Sequence, residues 1–469
     1  MELRKPTLNE QRCITRHSLD FYRGLVVAAV YEFPDQSHSE LKPRFEAAIR
    51  HCVLGHPILG AVIHDAEEEN SHFRKLESLD LDRHLRWLES EDVGVDVCKN
   101  ALYAREEDRV VEMMVERALN QRFEDVAEVP PWRVFVVPMN EERSGSWLVT
   151  FNYSHSHGDG LSGLSFHRSL VEGLSQTTAM ESSHQGDILP TSVADLPAPA
   201  GPFPISWAFL LSVLVNAFFP WLTSWWEKYP RSSVWTGGPM FYDNDAETAT
   251  KLLTIDQQTL TTILSNWRPH EVKLTALLHL AMNRALTTEL RKHGISLDPM
   301  GVNASSVSFQ YPAIEASSTV TEEEVAAAQE HTRKLASGSS TSQDQVIGLL
   351  SYARPLRKWH LDKMGKKRDS SWEISNLMTI DVAAPMNGRL TRVVFAQPAD
   401  ASGQALSLNV VSLKGGLLEV MISWQVGALA LPGPVEKRKE VEVDFMERVA
   451  TAFRQQLVFL SKGPLGRSS

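Results

Sequence analysis

The stretch Phe151-Asn152-Tyr153-Ser154-His155-Ser156-His157-Gly158-Asp159-Gly160-Leu161-Ser162-Gly163 decides how the rest of the chain is read. The residues leading into it, Trp147 to Tyr153, are β-rich, and beyond it Leu161, Leu164, Leu170, Val171 and Leu174 mark a helix. The polar segment therefore sits at a strand-to-helix junction. Upstream, Trp132 to Val137 is also β-rich. The polar Met139-Asn140-Glu141-Glu142-Arg143-Ser144-Gly145 between the two runs predicts paired strands joined by a turn.

Further out, Leu25 to Val30 reads as a strand, and Leu41, Phe45, Ala48, Ile49, Cys52 and Val53 predict an amphipathic helix over Ser39 to Val53 with Pro57 just beyond. Residues 176–204 are rich in Ser, Thr, Gln, Pro and Ala, the composition of a linker or surface excursion. After it come a helix near Leu274 to Leu290, a strand near Val302 to Tyr311 and a polar stretch from Glu315 to Gln345. Strand-like runs follow at Trp372 to Ile380, Thr391 to Ala396, Ala405 to Leu413 and Leu417 to Trp424, before a final helix from Val441 to Leu460. Two α+β halves fit this order, with no short internal repeat.

With 469 residues, 43% of them hydrophobic, the chain has ample material for a buried core, which excludes disorder. Its net charge of −11 argues against a general nucleic-acid binder, which would show a basic face. The 3 cysteines, Cys13, Cys52 and Cys98, are too few for a disulfide framework and point to a reducing, cytoplasmic setting. No export signal opens the sequence.

The run Ile205 to Trp226 is long and apolar enough to suggest a membrane span, but Asn216 and Pro220 interrupt it. Packing within the protein and peripheral contact with a membrane surface both stay open, because Trp-rich apolar helices favour the membrane interface.

Three motifs overlap in the heptad. As G-x-G-x-x-G, Gly158, Gly160 and Gly163 would need a parallel strand ending in an acidic residue about 20 residues on, where this chain is Ser/Gln/Pro-rich. As H-x-H-x-D, the residues His155, His157 and Asp159 would be zinc ligands, a pattern that also needs a histidine where Gly160 stands. As H-x-x-x-D-G, His155 is a general base: an imidazole with a pKa of about 6.5 can take the proton of an alcohol as it attacks a thioester. Asp159 then fixes the loop, Gly160 permits a tight backbone, and His157 is a local hydrogen-bonding residue.

The run from Phe151 to Gly163 resembles the active-site motif of the chloramphenicol-acetyltransferase-like superfamily, and especially its fungal alcohol acetyltransferase-like branch. Leu19-Asp20-Phe21-Tyr22, His56-Pro57-Ile58-Leu59, Pro131-Trp132-Arg133-Val134, Leu274 to Leu278, Glu373-Ile374-Ser375-Asn376-Leu377 and Leu408 to Ser412 agree in order and spacing. The resemblance implies an α/β (α+β) fold of two such subdomains with mixed sheets and an interface tunnel. The corresponding division is residues 1–185, a linker with the apolar segment at 186–240, and residues 241–469. It implies an acyl-CoA-dependent O-acyltransferase, with acetyl-CoA as co-substrate, a small lipophilic alcohol as acceptor and no metal or permanently bound cofactor. The protein would act as a cytoplasmic monomer, as in fungal secondary metabolism.

In that resemblance His155 is the catalytic base. Asp159 usually pairs with an arginine from the second half, where this chain has Gln310. Ser375 and Asn376 match a Ser-Asn pair able to donate to an oxyanion, and Trp424 is a candidate channel residue. The basic run Lys363, Lys366, Lys367 and Arg368 is the candidate site for the CoA phosphates. The competing readings are transfer to an amine, a zinc hydrolase, and an acyltransferase-like binding protein with a decayed site.

Overall fold

Leu25 to Tyr31 is buried throughout, as expected of a strand inside a sheet covered on both faces. The computed structural model describes residues 2–34, 36, 38–89, 106–139, 145–176, 188–192, 195–196, 203–219, 234–295, 300–304, 307–382 and 388–464. Cys98, the turn at 140–144, most of the 176–204 linker and residues 220–226 lie outside them. The chain divides into two units. Unit 1 is Met1–Ala200, Leu377–Pro398 and Asn409–Met421; unit 2 is Gly201–Asn376, Ala399–Leu408 and Ile422–Ser469.

In chain order the first half carries β1 (Glu2–Arg4), α1 (Leu8–Ser18), β2 (Leu25–Glu32), α2 (His38–Gly55), β3 (Ala61–His64), β4 (His72–Lys75), β5 (Ser78–Asp80), β6 (Leu85–Trp87), α3 (Glu106–Leu119), β7 (Trp132–Pro138), β8 (Ser146–Tyr153), α4 (Gly160–Gln176) and β9 (Ile188–Pro190). The second carries α5 (Trp207–Phe218), β10 (Thr248–Ile255), α6 (Gln257–Trp267), α7 (Leu274–Lys292), β11 (Met300–Ala304), β12 (Val307–Tyr311), α8 (Glu322–Ser339), α9 (Leu356–Leu361), β13 (Trp372–Ile380), β14 (Arg389–Ala396), β15 (Leu406–Leu413), β16 (Leu418–Gln425) and α10 (Arg438–Leu460).

Unit 1 is built on a five-stranded mixed sheet in the order β14-β2-β8-β7-β6. β8 runs antiparallel to β2, Leu25 opposite Tyr153, and antiparallel to β7, Trp132 opposite Tyr153, so Tyr153 ends both ladders together. Alternate residues of β2 and β8 serve opposite faces. Val27, Ala29, Tyr31, Val149, Phe151 and Tyr153 join the core with residues of α2 and α4. Asn152, on the other face, donates to the Ala118 carbonyl of α3. Helices α2 and α4 approach closely, since a Cβ added at Gly173 would lie 2.8 Å from the Ala48 Cα. A second small sheet, β1-β4-β3, carries its own apolar cluster of Ile14, Ala61, Ile63, Phe73 and Leu196.

A buried ionic cluster ties strands from the end of the chain into unit 1. Arg392 on β14 donates to Asp108 of α3 at 2.6 Å and to Glu419 of β16 at 2.9 Å.

A six-stranded sheet has the order β10-β16-β15-β13-β11-β12, in which β11 pairs parallel with β13 and antiparallel with β12. The run expected as one strand near Val302 to Tyr311 is a hairpin folded on itself, with Ala304 opposite Val307. The polar stretch from Glu315 to Gln345 contains α8, whose start is fixed by a reciprocal capping box between Thr321 and Glu324. Glu324 also pairs with the buried Arg284 of α7 at 2.6 Å.

Candidate active site

The loop between β8 and α4 is closed by its own hydrogen bonds. Ser154 N–H donates to the Pro131 carbonyl and His157 N–H to the Ser154 carbonyl, which turns the chain as the strand ends. Tyr153 Oη then reaches over to donate to the Asp159 carbonyl at 2.6 Å. The next helix packs so tightly on β2 that a Cβ at Gly163 would meet Val27 at 2.3 Å. Gly160 is needed for room, not for an unusual backbone: its Cβ would lie 2.5 Å from Leu377, while its φ is not positive.

The two histidines of the loop have different surroundings. Both nitrogens of His157 are committed, Nδ1 to the Ser156 hydroxyl and Nε2 to the Ala61 carbonyl, each at 2.9 Å. Burial pushes its pKa down to about 4, so it is neutral near pH 7. A carbonyl can only accept, so Nε2 carries the proton and Nδ1 accepts from Ser156.

His155 is half-buried, and its Nδ1 donates to the Gly158 carbonyl at 3.0 Å. That bond fixes the neutral tautomer with its lone pair on Nε2, the form a general base needs. The imidazole ring lies 5.8 Å from the Tyr22 ring. Burial disfavours the imidazolium, yet the charge of Cys13 prevails, and the His155 pKa is raised against the opposition of Arg16 and Arg12. For Cys13 burial raises the thiol, but the imidazole and the two arginines bring it down to about 5.

Asp159 is exposed and caps α4: its Oδ1 accepts from both the backbone N–H and the hydroxyl of Ser162 at 2.9 Å. Among the described residues it has no ion pair. The other expected site residues belong to unit 2. Ser375 and Asn376 are half-buried on β13, and Asn376 donates to the Thr275 hydroxyl at 3.2 Å. Trp424 is in the core, its indole N–H directed to Glu442. Arg368 is buried, with its guanidinium bonded to the carbonyls of Asp400, Gly403 and Gln404 and to the Gln425 side chain. The basic run is thereby reduced to Lys363, which pairs with Asp369 at 3.1 Å, and the exposed Lys366 and Lys367.

Two of the overlapping motif readings lose their structural basis. A dinucleotide fingerprint needs a parallel β-α-β unit, and β8 is antiparallel to both neighbours. A zinc run needs converging donors, but His157 is bonded at both nitrogens and Asp159 caps a helix. Among the described residues no three histidines, cysteines or carboxylates gather as a metal set.

Cys13 and Arg16 were not foreseen as site residues. The signals present were the Thr7/Glu10 capping box that starts α1 and the i, i+3 spacing that puts Cys13 and Arg16 on one face of it.

The mixed-sheet α+β fold thus presents H-x-x-x-D-G at a strand-to-helix junction. The alcohol acetyltransferase family profile matches residues 9–288, and the chain belongs to that family. By membership it is an acyltransferase with an acyl donor and an alcohol acceptor. It is 24% identical to an uncharacterized protein of Schizosaccharomyces pombe, over 89% of this chain and 90% of that one. It is equally 24% identical to the probable alcohol acetyltransferase FCK4 of Fusarium pseudograminearum, over 98% of this chain and 96% of that one. Its fold resembles the TRI3 trichothecene 15-O-acetyltransferase of Fusarium sporotrichioides, with a TM-score of 0.57 at 11% identity, covering 95% of this chain and 94% of that one.

Proposed function

We propose that the protein transfers an acyl group, acetyl in the first instance, from acyl-CoA to the hydroxyl of a small lipophilic alcohol, with His155 as general base. The observation that carries this reading is the imidazole itself, partly exposed and held by Nδ1 on the Gly158 carbonyl. Nε2 takes the acceptor's proton as its oxygen attacks the thioester carbonyl. The tetrahedral intermediate collapses, and the same proton leaves with the CoA thiolate. Ser375 and Asn376 match the family's oxyanion donors, a contribution worth about 10²–10³ in rate. Lys363, Lys366 and Lys367 are the cations assigned to the CoA phosphates.

The decisive experiment screens acyl-CoA donors against alcohols and amines, following free thiol and identifying the product by mass spectrometry. His155→Ala should reduce turnover by about 10²–10⁴. Turnover at the wild-type rate in that variant overturns the base assignment, and exclusive acylation of amines overturns the acceptor class.

Helix α5 supports work at a lipid surface. Ser206 caps its start, and Trp207, Leu211, Leu214 and Phe218 are 80%, 57%, 41% and 71% exposed. Their spacing puts them along one helix face. The contact we infer is a peripheral one, suited to a lipophilic acceptor; among the described residues no helix is long and apolar enough to cross a membrane.

A further inference from the structure

Strand β13 breaks its own alternation beside the motif loop. Trp372, Ile374 and Ile380 share one parity along it and are buried, whereas Met378, of the same parity, is 72% exposed. The backbone accounts for the difference. Met378 has a φ of 64°, in the left-handed region that a residue with a side chain enters only at a cost. Its neighbours hold it there: Leu377 packs on the core of unit 1 and presses on the motif glycine, its Cδ2 2.5 Å from where a Cβ on Gly160 would lie. Just beyond, the Thr379 and Ser412 hydroxyls share a hydrogen bond at 2.7 Å, and the Lys414 N–H donates to the Ile380 carbonyl at 2.8 Å. Strain kept in place by its surroundings collects at functional sites.

The loop that Leu377 touches is the one that carries His155. Between His155 and Gly160 it is braced by the Nδ1 bond to the Gly158 carbonyl and the Tyr153 bond to the Asp159 carbonyl, so β13 meets it at a fixed point. Leu161, next to Gly160 in the first turn of α4, is 58% exposed. Gly160, Leu161, Leu377 and Met378 all belong to unit 1. A strained backbone and an exposed apolar side chain are two unfavourable features at one position, and a contact that covers the side chain compensates both.

We propose that Met378 is a specificity-determining residue: with Leu161 it forms the apolar lip that covers the hydrocarbon part of the acceptor alcohol. This rests on the acyl-transfer reading above. An acetyl donor brings a single methyl group to the reacting end, too little to cover two large side chains, so the acceptor supplies the apolar surface. The unbranched, polarizable thioether moulds itself to hydrocarbon of varied shape.

The test compares wild type, Met378→Gly, Met378→Leu and Leu161→Ala in the full chain. Glycine suits a φ of 64°, so Met378→Gly should fold with a melting temperature at or above that of wild type. With acetyl-CoA, the preference for decanol over ethanol in kcat/KM should fall by about 10-fold or more in Met378→Gly, the worth of burying one large apolar side chain. Leu161→Ala should lose less, and Met378→Leu should restore most of the preference. Calorimetric binding of decanol without acyl-CoA should weaken in the same order, a readout that needs no turnover. A folded Met378→Gly with wild-type preference and wild-type decanol affinity overturns the proposal, as does a wild type that binds no decanol. So does a loss seen with octanoyl-CoA against acetyl-CoA instead, which would give the residue to the donor. If His155→Ala stays active while the decanol preference still moves, the base assignment falls and the Met378 contact stands.

Discussion

Tyr153 and Asp159 are joined by a hydrogen bond that uses the aspartate's backbone, not its carboxylate: Tyr153 Oη donates to the Asp159 carbonyl at 2.6 Å, while the carboxylate faces Ser162. The tyrosine at the end of β8 therefore holds the start of α4, and the Asp159 side chain acts as a cap.

A cap needs an acceptor oxygen more than a charge. Asp159→Asn should stay close to wild type in denaturant midpoint and keep kcat within several-fold. Asp159→Ala should lose about 1 kcal/mol in urea unfolding, with a larger fall in kcat as the loop relaxes. An asparagine variant as inactive as the alanine one would show that the charge is required.

At Gly160 the constraint is space. A methyl there would press on Leu377 Cδ2 at 2.5 Å and Cδ1 at 2.9 Å. Gly160→Ala should cost about 1–3 kcal/mol, and adding Leu377→Ala should recover part of the loss. Equal or greater destabilisation in the double variant would exclude the contact as the cause.

Arg392 lies within hydrogen-bonding distance of both Asp108 and Glu419. Replacing it with Met removes the guanidinium from two buried carboxylates, a change that should be destabilising. Urea unfolding of Arg392→Met should show this. A variant as stable as wild type would mean that the carboxylates are neutral or hydrated.

Acid should weaken unit 1 before its carboxylates titrate. Burial depresses His157 and His167 to about 4 and His84 to about 3. Each sits neutral in the fold while its unfolded form takes a proton near pH 6.5, so the stability it contributes is present above that pH and lost as pH falls toward the folded value. His155, with a raised pKa, works in the opposite direction. His157, His167 and His84, joined by His17, His56 and His64, which burial lowers in the same direction, outweigh His155 and predict unfolding free energy declining between pH 6.5 and 5 by at least ~1 kcal/mol per pH unit. A flat profile over that interval would be the contrary result.

Much of the N-terminal architecture was legible because β2 and β8 are compact β-rich runs and α4 carries its apolar residues at helical spacing. The junction that presents His155 could be located for the same reason. The pairing of β14 with β2 was not legible, since a strand run states that it will pair but not with what. Helix α8 was hidden because few of its residues are apolar, and only the Thr321/Glu324 box marks its start. The 302–311 run looked continuous because two short strands of a hairpin share one β-rich composition.

The exposed face of α5 leads to the last expectation. The segment from Phe203 to Trp226 contains no charged residue, so attraction to a lipid surface would come from apolar burial, at about 1.5–3 kcal/mol for each large side chain fully buried. Binding driven that way does not depend on anionic lipid and is not screened by salt, unlike attachment through a basic patch. The protein should therefore sediment with neutral phosphatidylcholine vesicles, equally well at low and high ionic strength. Trp207→Glu combined with Leu211→Glu should release it to the supernatant without changing its melting temperature, because both side chains are mostly exposed in the fold. Failure of the wild type to bind, or a double variant that binds as well, would assign this face to something other than lipid.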